Sequence, residues 1–240
     1  MKVSVIIPTL NEEARVETVL KSIKRQDYNG PIEIIVADGN STDKTVSISQ
    51  KYANKVVIET TRTIAAGRQA GCNAATGEYF LFVDADCIAD KSWITNIMKA
   101  FRKNNAVGVY GLIIPNEGTS LERTLLSWGA LIASTFLNLI GVDYLAGSNM
   151  AVRRREFEKI GGFNIYLATG EDTDLMKRIR PLGEVSFASN AIVGYALRRI
   201  REWGYPKYIL FHTKNFFMSH FLGRPAKNYE PIRTDKTSPR

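Results

Sequence analysis

Four apolar runs of strand length, at Val3–Ile7, Ile32–Ala37, Lys55–Ile58 and Tyr79–Val83, alternate with stretches of helical periodicity in the first part of the chain. Strands read as near-continuous apolar runs when both faces are covered, so the pattern predicts an α/β fold with a mostly parallel central sheet flanked by helices. Three of the runs end in small or acidic residues: Pro8-Thr9-Leu10-Asn11-Glu12, Asp38-Gly39-Asn40-Ser41-Thr42-Asp43, and Asp84-Ala85-Asp86. Ligands of such sheets sit at the carboxyl ends of the strands, and three clusters on that edge describe a binding crevice.

The intervening helices carry their own signals. Val16, Val19, Leu20 and Ile23 mark the first, with Glu12 and Glu13 suited to its positive end and a stop expected near Gln26. Ser41, Thr42 or Asp43 caps the second, and the third runs from about Thr63 to Ala75. Beyond Asp86 come a helix around Trp93–Phe101, a strand at Val107–Ile114, and nineteen uncharged residues from Thr124 to Val142. That length approaches the roughly 20 residues needed to cross a bilayer. A crossing would separate the acids at 84–86 from those at 171–172, and Ser127, Gly129, Ser134, Thr135 and Asn138 dilute the stretch. A core or pocket-wall helix, or one in peripheral contact with a membrane surface, is therefore expected. An aromatic helix, Tyr205 to Phe221, precedes a polar tail holding Pro225, Pro231 and Pro239.

With 240 residues, 45% of them apolar, the chain can bury one large core. Of its net charge of +8, residues 198–240 carry +7, from ten Lys/Arg against three acids. The body is nearly neutral, and the basic excess is free to meet diphosphate, anionic lipid or solvent. Cys72 and Cys87 make no disulfide framework, and the opening Met1-Lys2-Val3 is too short for a signal segment. A reducing, cytoplasmic location is expected, at the inner face of the membrane if the uncharged stretch touches lipid.

Asp84 and Asp86 leave the sheet together as hard oxygen ligands suited to Mg²⁺ or Mn²⁺, unless they merely cap the next helix. Asp38 can accept a nucleobase imide where Gly39 lets a flat ligand approach, or else belongs to a plain turn. Arg68, among small residues of its helix, can reach phosphate or ribose, or form a salt bridge. Glu171, Asp172 and Asp174 open a helix that stops before Pro181; they suit its dipole, which would also hold Asp172 ionised. His212 and His220 either return to the metal or pack on their aromatic helix.

Taken in order, these motifs resemble glycosyltransferase family 2, the inverting transferases of GT-A fold. The opening Val5-Ile6-Ile7-Pro8-Thr9-Leu10-Asn11-Glu12, the turn Val36-Ala37-Asp38-Gly39-Asn40-Ser41-Thr42-Asp43 and the strand ending in Asp84-Ala85-Asp86 match its donor side. Arg68 and Asn73 match a helix motif loosely; Gly147–Arg154, Gly161-Gly162-Phe163 and Gly170–Leu175 resemble its acceptor side. The resemblance implies a single domain over 1–222, divided into a nucleotide-sugar-binding half (1–90), an acceptor-side half (91–197) and a C-terminal helical segment (198–222), before a basic tail (223–240). It further implies that Pro8, Thr9, Glu12, Asp38, Gly39, Arg68, Asp84, Ala85 and Asp86 hold a nucleoside diphosphate sugar, with uridine favoured. Asp86 would ligate the metal, and Asp172 beside Glu171 would deprotonate an acceptor hydroxyl, the acceptor offering a hydroxyl or a lipid phosphate as a glycan or a polyprenyl-phosphate-type molecule. Ala37 stands where many relatives have a second acid, and Ile88 where some have a metal-binding Gln.

The competing expectations are a nucleotide-binding module without turnover that recruits partners or a membrane, and a nucleotidylyltransferase. The latter needs a Gly-rich loop with a Lys near the first strand, and Pro8–Arg15 has none. Nucleic-acid binding is disfavoured, because the C-terminal aromatics recur at helical spacing.

Overall fold

A computed structural model describes residues 1–142 and 146–226. Its eight strands are β1 (Val3–Thr9), β2 (Ile32–Asp38), β3 (Lys55–Ile58), β4 (Tyr79–Phe82), β5 (Cys87–Ala89), β6 (Gly108–Pro115), β7 (Met150–Arg153) and β8 (Val185–Tyr195). They form one sheet in the order β3-β2-β1-β4-β7-β6-β8-β5. The first four pair in parallel, as expected from their continuous apolar runs. The second half is mixed: β7 is antiparallel to both β4 and β6, β5 is antiparallel to β8, and β6 is parallel to β8.

Nine α-helices cover the sheet among the described residues: α1 (Val16–Lys24), α2 (Thr45–Ser49), α3 (Ile64–Ala74), α4 (Trp93–Asn104), α5 (Ser120–Leu139), α6 (Arg154–Lys159), α7 (Glu171–Ile179), α8 (Arg198–Trp203) and α9 (Tyr205–Leu222). Strand residues alternate between faces, and both faces are dry. Val3, Val5 and Ile7 pack into a core with α1 and α4. Ile6 packs on the other side with Ala65 and Cys72 of α3 and with Leu175, Met176 and Ile179 of α7. Helix α3 rides directly on β1: a Cβ added at Gly71 would lie 2.4 Å from Ile6 Cγ2.

Several local expectations need correction. Glu12 and Glu13 are outside α1, whose first-turn acid is Glu17. Their carboxylates serve tertiary contacts instead, Glu12 to Arg198 and Glu13 to the Lys44 N–H. Helix α2 starts only at Thr45 with Lys44 at its N-cap, so none of the three cap candidates holds that position; Asp43, just before it, accepts the Thr45 N–H at 2.9 Å. Ser41 and Thr42 knit the loop after β2 to Asn11 in the loop after β1. Thr63 caps α3 by accepting the Ala66 N–H at 3.0 Å.

The uncharged stretch lies within α5 and the turn that follows it, and α5 starts in a reciprocal Thr119–Glu122 capping box. It is no core helix, since Ser134 is its one buried residue. It lies along β6, with Asn138 Nδ2 donating to the Tyr110 hydroxyl at 3.1 Å. No helix among the described residues is long and apolar enough to cross a membrane. Residues 227–240 of the expected tail lie outside the described residues.

Candidate active site

The loops after β1, β2 and β4 meet at the carboxyl edge of the parallel strands and open into a cleft of two lobes. The first, about 350 Å³, is lined by Pro8, Thr9, Glu12, Gly39, Arg62 and Ala85 among others. The second, about 300 Å³, lies between Gly147, the Glu171-Asp172 pair and the inner face of α9. Asp84 and Asp86 line both lobes. The strand β4 that delivers them is fully apolar and pinned between β1 and β7, so the two acids leave the sheet at a fixed height.

Each of the two acids faces an arginine. Asp84 Oδ1 accepts from Arg68 Nη2 at 2.8 Å, and Asp86 Oδ2 from Arg198 Nη2 at 3.2 Å. The same Arg198 nitrogen reaches Glu12 Oε1 at 3.0 Å, which joins the loop after β1 to the start of α8. Burial pushes the Asp86 carboxyl up, the neighbouring Asp84 charge adds to this, and Arg198 opposes it. Asp84 and Asp86 remain 35% and 26% exposed at the side chain, so both keep a side open to the cleft. Hard oxygens on an open edge fit a divalent cation bound to phosphate. Among the described residues no group of three His, Cys, Asp or Glu stands ready to hold a metal. His212 and His220 are packed instead, His212 against Tyr208 at 4.3 Å and His220 stacked on Phe216 at 5.5 Å. Burial and the charge of Arg199 bring His212 down to about 4, so it is neutral near pH 7.

Arg68 is no surface ion pair, and where it lines the second lobe its guanidinium is already engaged. It is buried with its guanidinium between two acids, Nη1 meeting Glu171 Oε1 at 2.5 Å and Nη2 meeting Asp84. Ala65, Arg68 and Cys72 share the buried stripe of α3, which is why the long side chain points inward. Gly147 leaves room for it, since a Cβ there would lie 2.3 Å from Arg68 Nη1. Asp38 also turns inward: it is fully buried, and its carboxylate accepts the Ser41 N–H at 3.0 Å. The turn reading therefore describes Asp38 better than a carboxylate facing a base, and Gly39 and Ala37 make the wall at that strand end. Asn40 adopts φ +61°, a left-handed conformation that asparagine tolerates, which accounts for its place between Gly39 and Ser41.

At the head of α7, Asp172 Oδ2 accepts the Gly147 N–H at 2.9 Å and Oδ1 the Thr173 N–H at 2.7 Å. The helix end does not dominate its ionisation as the sequence suggests. Burial raises the Asp172 carboxyl despite the Arg68 charge, and burial with the adjacent Asp172 charge raises that of Glu171. A carboxylate held up in this way is a stronger proton acceptor than an exposed one.

Two further arginines stand at the cleft outside its strand-end motifs. Arg62, at φ +63°, donates Nε to the Gly39 carbonyl at 3.1 Å and rims the first lobe beside Glu59. Arg198 arrives from 112 residues beyond Asp86. Of the residues singled out, Pro8, Thr9, Glu12, Gly39 and Ala85 line the first lobe, Arg68, Glu171 and Asp172 the second, and Asp84 and Asp86 both. Thr9 Oγ1 is buried at the first lobe without a hydrogen-bond partner.

Residues 4–161 match the sequence model of Glycosyl transferase family 2. The chain belongs to glycosyltransferase family 2. Members of this family are enzymes that transfer sugars, and the architecture is GT-A. Across 217 residues the chain is 27% identical to glycosyltransferase AglE of Haloferax volcanii, covering 83% of this chain and 68% of that protein. Its fold matches Staphylococcus aureus TarS in complex with UDP-GlcNAc (TM-score 0.64, 23% identity, 82% of this chain and 58% of that one). It also matches mannosyltransferase PcManGT of Pyrobaculum calidifontis in complex with GDP-Man and Mn²⁺ (TM-score 0.71, 23% identity, 92% and 63%). The chain thus spans about three-fifths of the length of these two structural relatives.

Proposed function

We propose that the chain transfers a glycosyl group from a nucleoside diphosphate sugar to an acceptor hydroxyl in one in-line displacement with inversion. The carrying observation is the two-lobed cleft whose lobes meet on Asp84 and Asp86, with a raised Asp172 carboxyl facing the second lobe. The nucleoside belongs in the first lobe, where Pro8, Thr9, Gly39 and Ala85 form the wall and the buried Thr9 hydroxyl awaits a partner. Glu12 and Arg62 close its rim. Asp38 contributes by holding the turn that shapes this wall.

Asp86, with Asp84 beside it, is the residue to hold Mg²⁺ or Mn²⁺, the rest of the shell coming from diphosphate and water. When bound, such a cation neutralises charge on the leaving diphosphate. Arg198 fills the same electrostatic role toward Asp86 in this structure, and its guanidinium is placed to meet the diphosphate. Arg68 orders the site from below by fixing Asp84 and Glu171. Asp172 accepts the proton of the attacking hydroxyl, which enters through the second lobe from a glycan; a polyprenyl-phosphate-type carrier would attack there with a phosphate oxygen that needs no base.

The test is thermal unfolding with UDP-sugars and GDP-sugars, with and without Mn²⁺ or Mg²⁺, followed by hydrolysis and transfer assays. A stabilising shift is expected with nucleotide and metal together, and Asp86→Ala should remove its metal-dependent part. At a ligand concentration 100 times Kd, binding adds about 2.7 kcal/mol. No shift with any nucleotide sugar overturns the proposal; a shift without turnover leaves only a binding module.

A further inference from the structure

Helix α9 has two faces of different character. Tyr208, His212, Asn215 and Ser219, spaced four, three and four residues apart, line the second lobe opposite Asp172. Lys207, Leu210, Lys214, Phe217 and Phe221, spaced three, four, three and four apart, form the exposed face on the other side. Helix α5 continues this character. Leu121, Leu125, Trp128, Ile132, Phe136 and Leu139 average one residue per 3.6 positions, a straight line on a helix, and are each 60–79% exposed. The stripe is about 30 Å long. Exposed apolar surface that is contiguous on this scale marks an interaction site. The two helices spring from one junction, where Glu122 of α5 accepts from Arg201 Nη2 at 2.6 Å and from the Tyr205 hydroxyl.

We infer that the α5 stripe and the outer face of α9 dock on an anionic lipid bilayer, so that the second lobe opens at the membrane and its acceptor is lipid-anchored. Charge selects this occupant. Residues 124–142 hold no charge, and residues 205–226 hold Lys207, Lys214 and Arg224 with no acid. An apolar face studded with lysines matches the boundary of acyl chains and anionic headgroups, where Trp128 also suits the interface. A second copy of the chain would bury the stripe but bring the lysines of α9 together without a counter-ion. A bilayer satisfies both features. With the stripe lying in the headgroup boundary, an acceptor whose lipid chain stays in the membrane need only lift its polar end to Asp172. This rests on the acceptor-side reading of that residue.

Sedimentation of the full chain with phosphatidylcholine vesicles, with and without phosphatidylglycerol, tests the inference. Binding to the anionic vesicles is expected, weakened by salt. Trp128→Glu with Phe136→Glu should lower partition at least about tenfold, and Lys207→Gln with Lys214→Gln about fivefold for each lysine removed. Circular dichroism and the nucleotide-induced thermal shift should be unchanged in both variants. The second pair removes no buried side chain, giving up the ring contact of Lys207 over Trp203 at 5.0 Å, so it decides the matter if the first fails to fold. Absence of vesicle binding by the wild type, or equal binding by folded variants, overturns the inference. So does a dimer in light scattering that Trp128→Glu dissociates while vesicles remain unbound. Loss of the nucleotide shift in the wild type would instead count against the proposed transfer reaction, so the two failures are distinguishable.

Discussion

Glu33 and Glu171 are buried acids at opposite edges of the sheet, the latter beside the half-buried Asp172, and the two sites are held in opposite ways. Glu33 sits near the amino ends of β1 and β2. Its Oε2 accepts from Ser4 Oγ at 2.7 Å, the Thr76 N–H at 2.8 Å and Thr76 Oγ1 at 2.9 Å, while Lys55 pairs with Oε1 at 3.1 Å. Burial opposes its ionisation, but these donors outweigh it and hold the carboxyl down to about 2. At the cleft, Glu171 and Asp172 have one buried arginine between them and Asp84, few other donors, and each other's charge; both carboxyls are raised. The difference teaches that donor supply decides whether burial or hydrogen bonding wins, and so helps to separate a structural acid from a chemically poised one.

The strongest way to break this contrast is Asp172→Asn. The shape survives and the one amide oxygen can keep the Gly147 N–H at the expense of the Thr173 N–H, while proton acceptance is lost, so turnover should fall about 10²- to 10⁴-fold, with nucleotide affinity retained. Single-turnover transfer alongside calorimetric nucleotide binding reads both quantities. Unchanged turnover would remove Asp172 from the chemistry and leave the pair as a helix-end feature.

Next comes Arg68→Met, which leaves Glu171 buried without its cation. Breaking a buried pair on one side costs about 3–5 kcal/mol, to be read from chemical denaturation. Arg68→Met combined with Glu171→Leu should recover much of that stability while transfer stays impaired, because Asp84 loses its anchor. A smaller effect is expected for Arg198→Ala. It removes a charge-assisted contact worth about 1.5–3 kcal/mol, so affinity for nucleoside diphosphate should drop at least tenfold.

These residues also show what could be read without coordinates. The runs that became β1 to β4 were legible because strands covered on both faces are uniformly apolar. So was the delivery of Asp84 and Asp86 to one edge, since a polar residue ending such a run must meet the cleft. The inward turn of Asp38 was not, because it depends on β2 extending one residue further, to Asp38 itself. Strands β5 and β7, of three and four residues, are too short to carry a period. Arg68 was half legible: its place in the Ala65, Arg68, Cys72 stripe signals burial, but the acids that accept it come from β4 and α7. Arg198 was legible only as part of the C-terminal basic excess that could meet diphosphate, because its partners Glu12 and Asp86 are set by the meeting of three distant loops.

The smallest and most specific effect concerns Glu33. Its folded carboxyl lies below the ordinary value near 4.5, so between pH 4.5 and about 2 the unfolded chain binds the extra proton and stability rises with pH. The contribution of Glu33 is complete above pH 4.5 and is lost as pH falls toward 2. Glu33→Gln should therefore cost on the order of 1–2 kcal/mol at pH 7, with the deficit shrinking below pH 4.5. The raised pair at the cleft has the reverse sign: above the ordinary carboxylate range the folded state retains protons that the unfolded chain has released, so its contribution falls as pH rises. Asp172→Asn should flatten that decline and leave the acid limb intact, whereas Glu33→Gln should flatten the acid limb alone. Urea midpoints measured from pH 3 to pH 8 on both variants separate the two slopes. If both substitutions change the same limb, donor supply does not distinguish these sites.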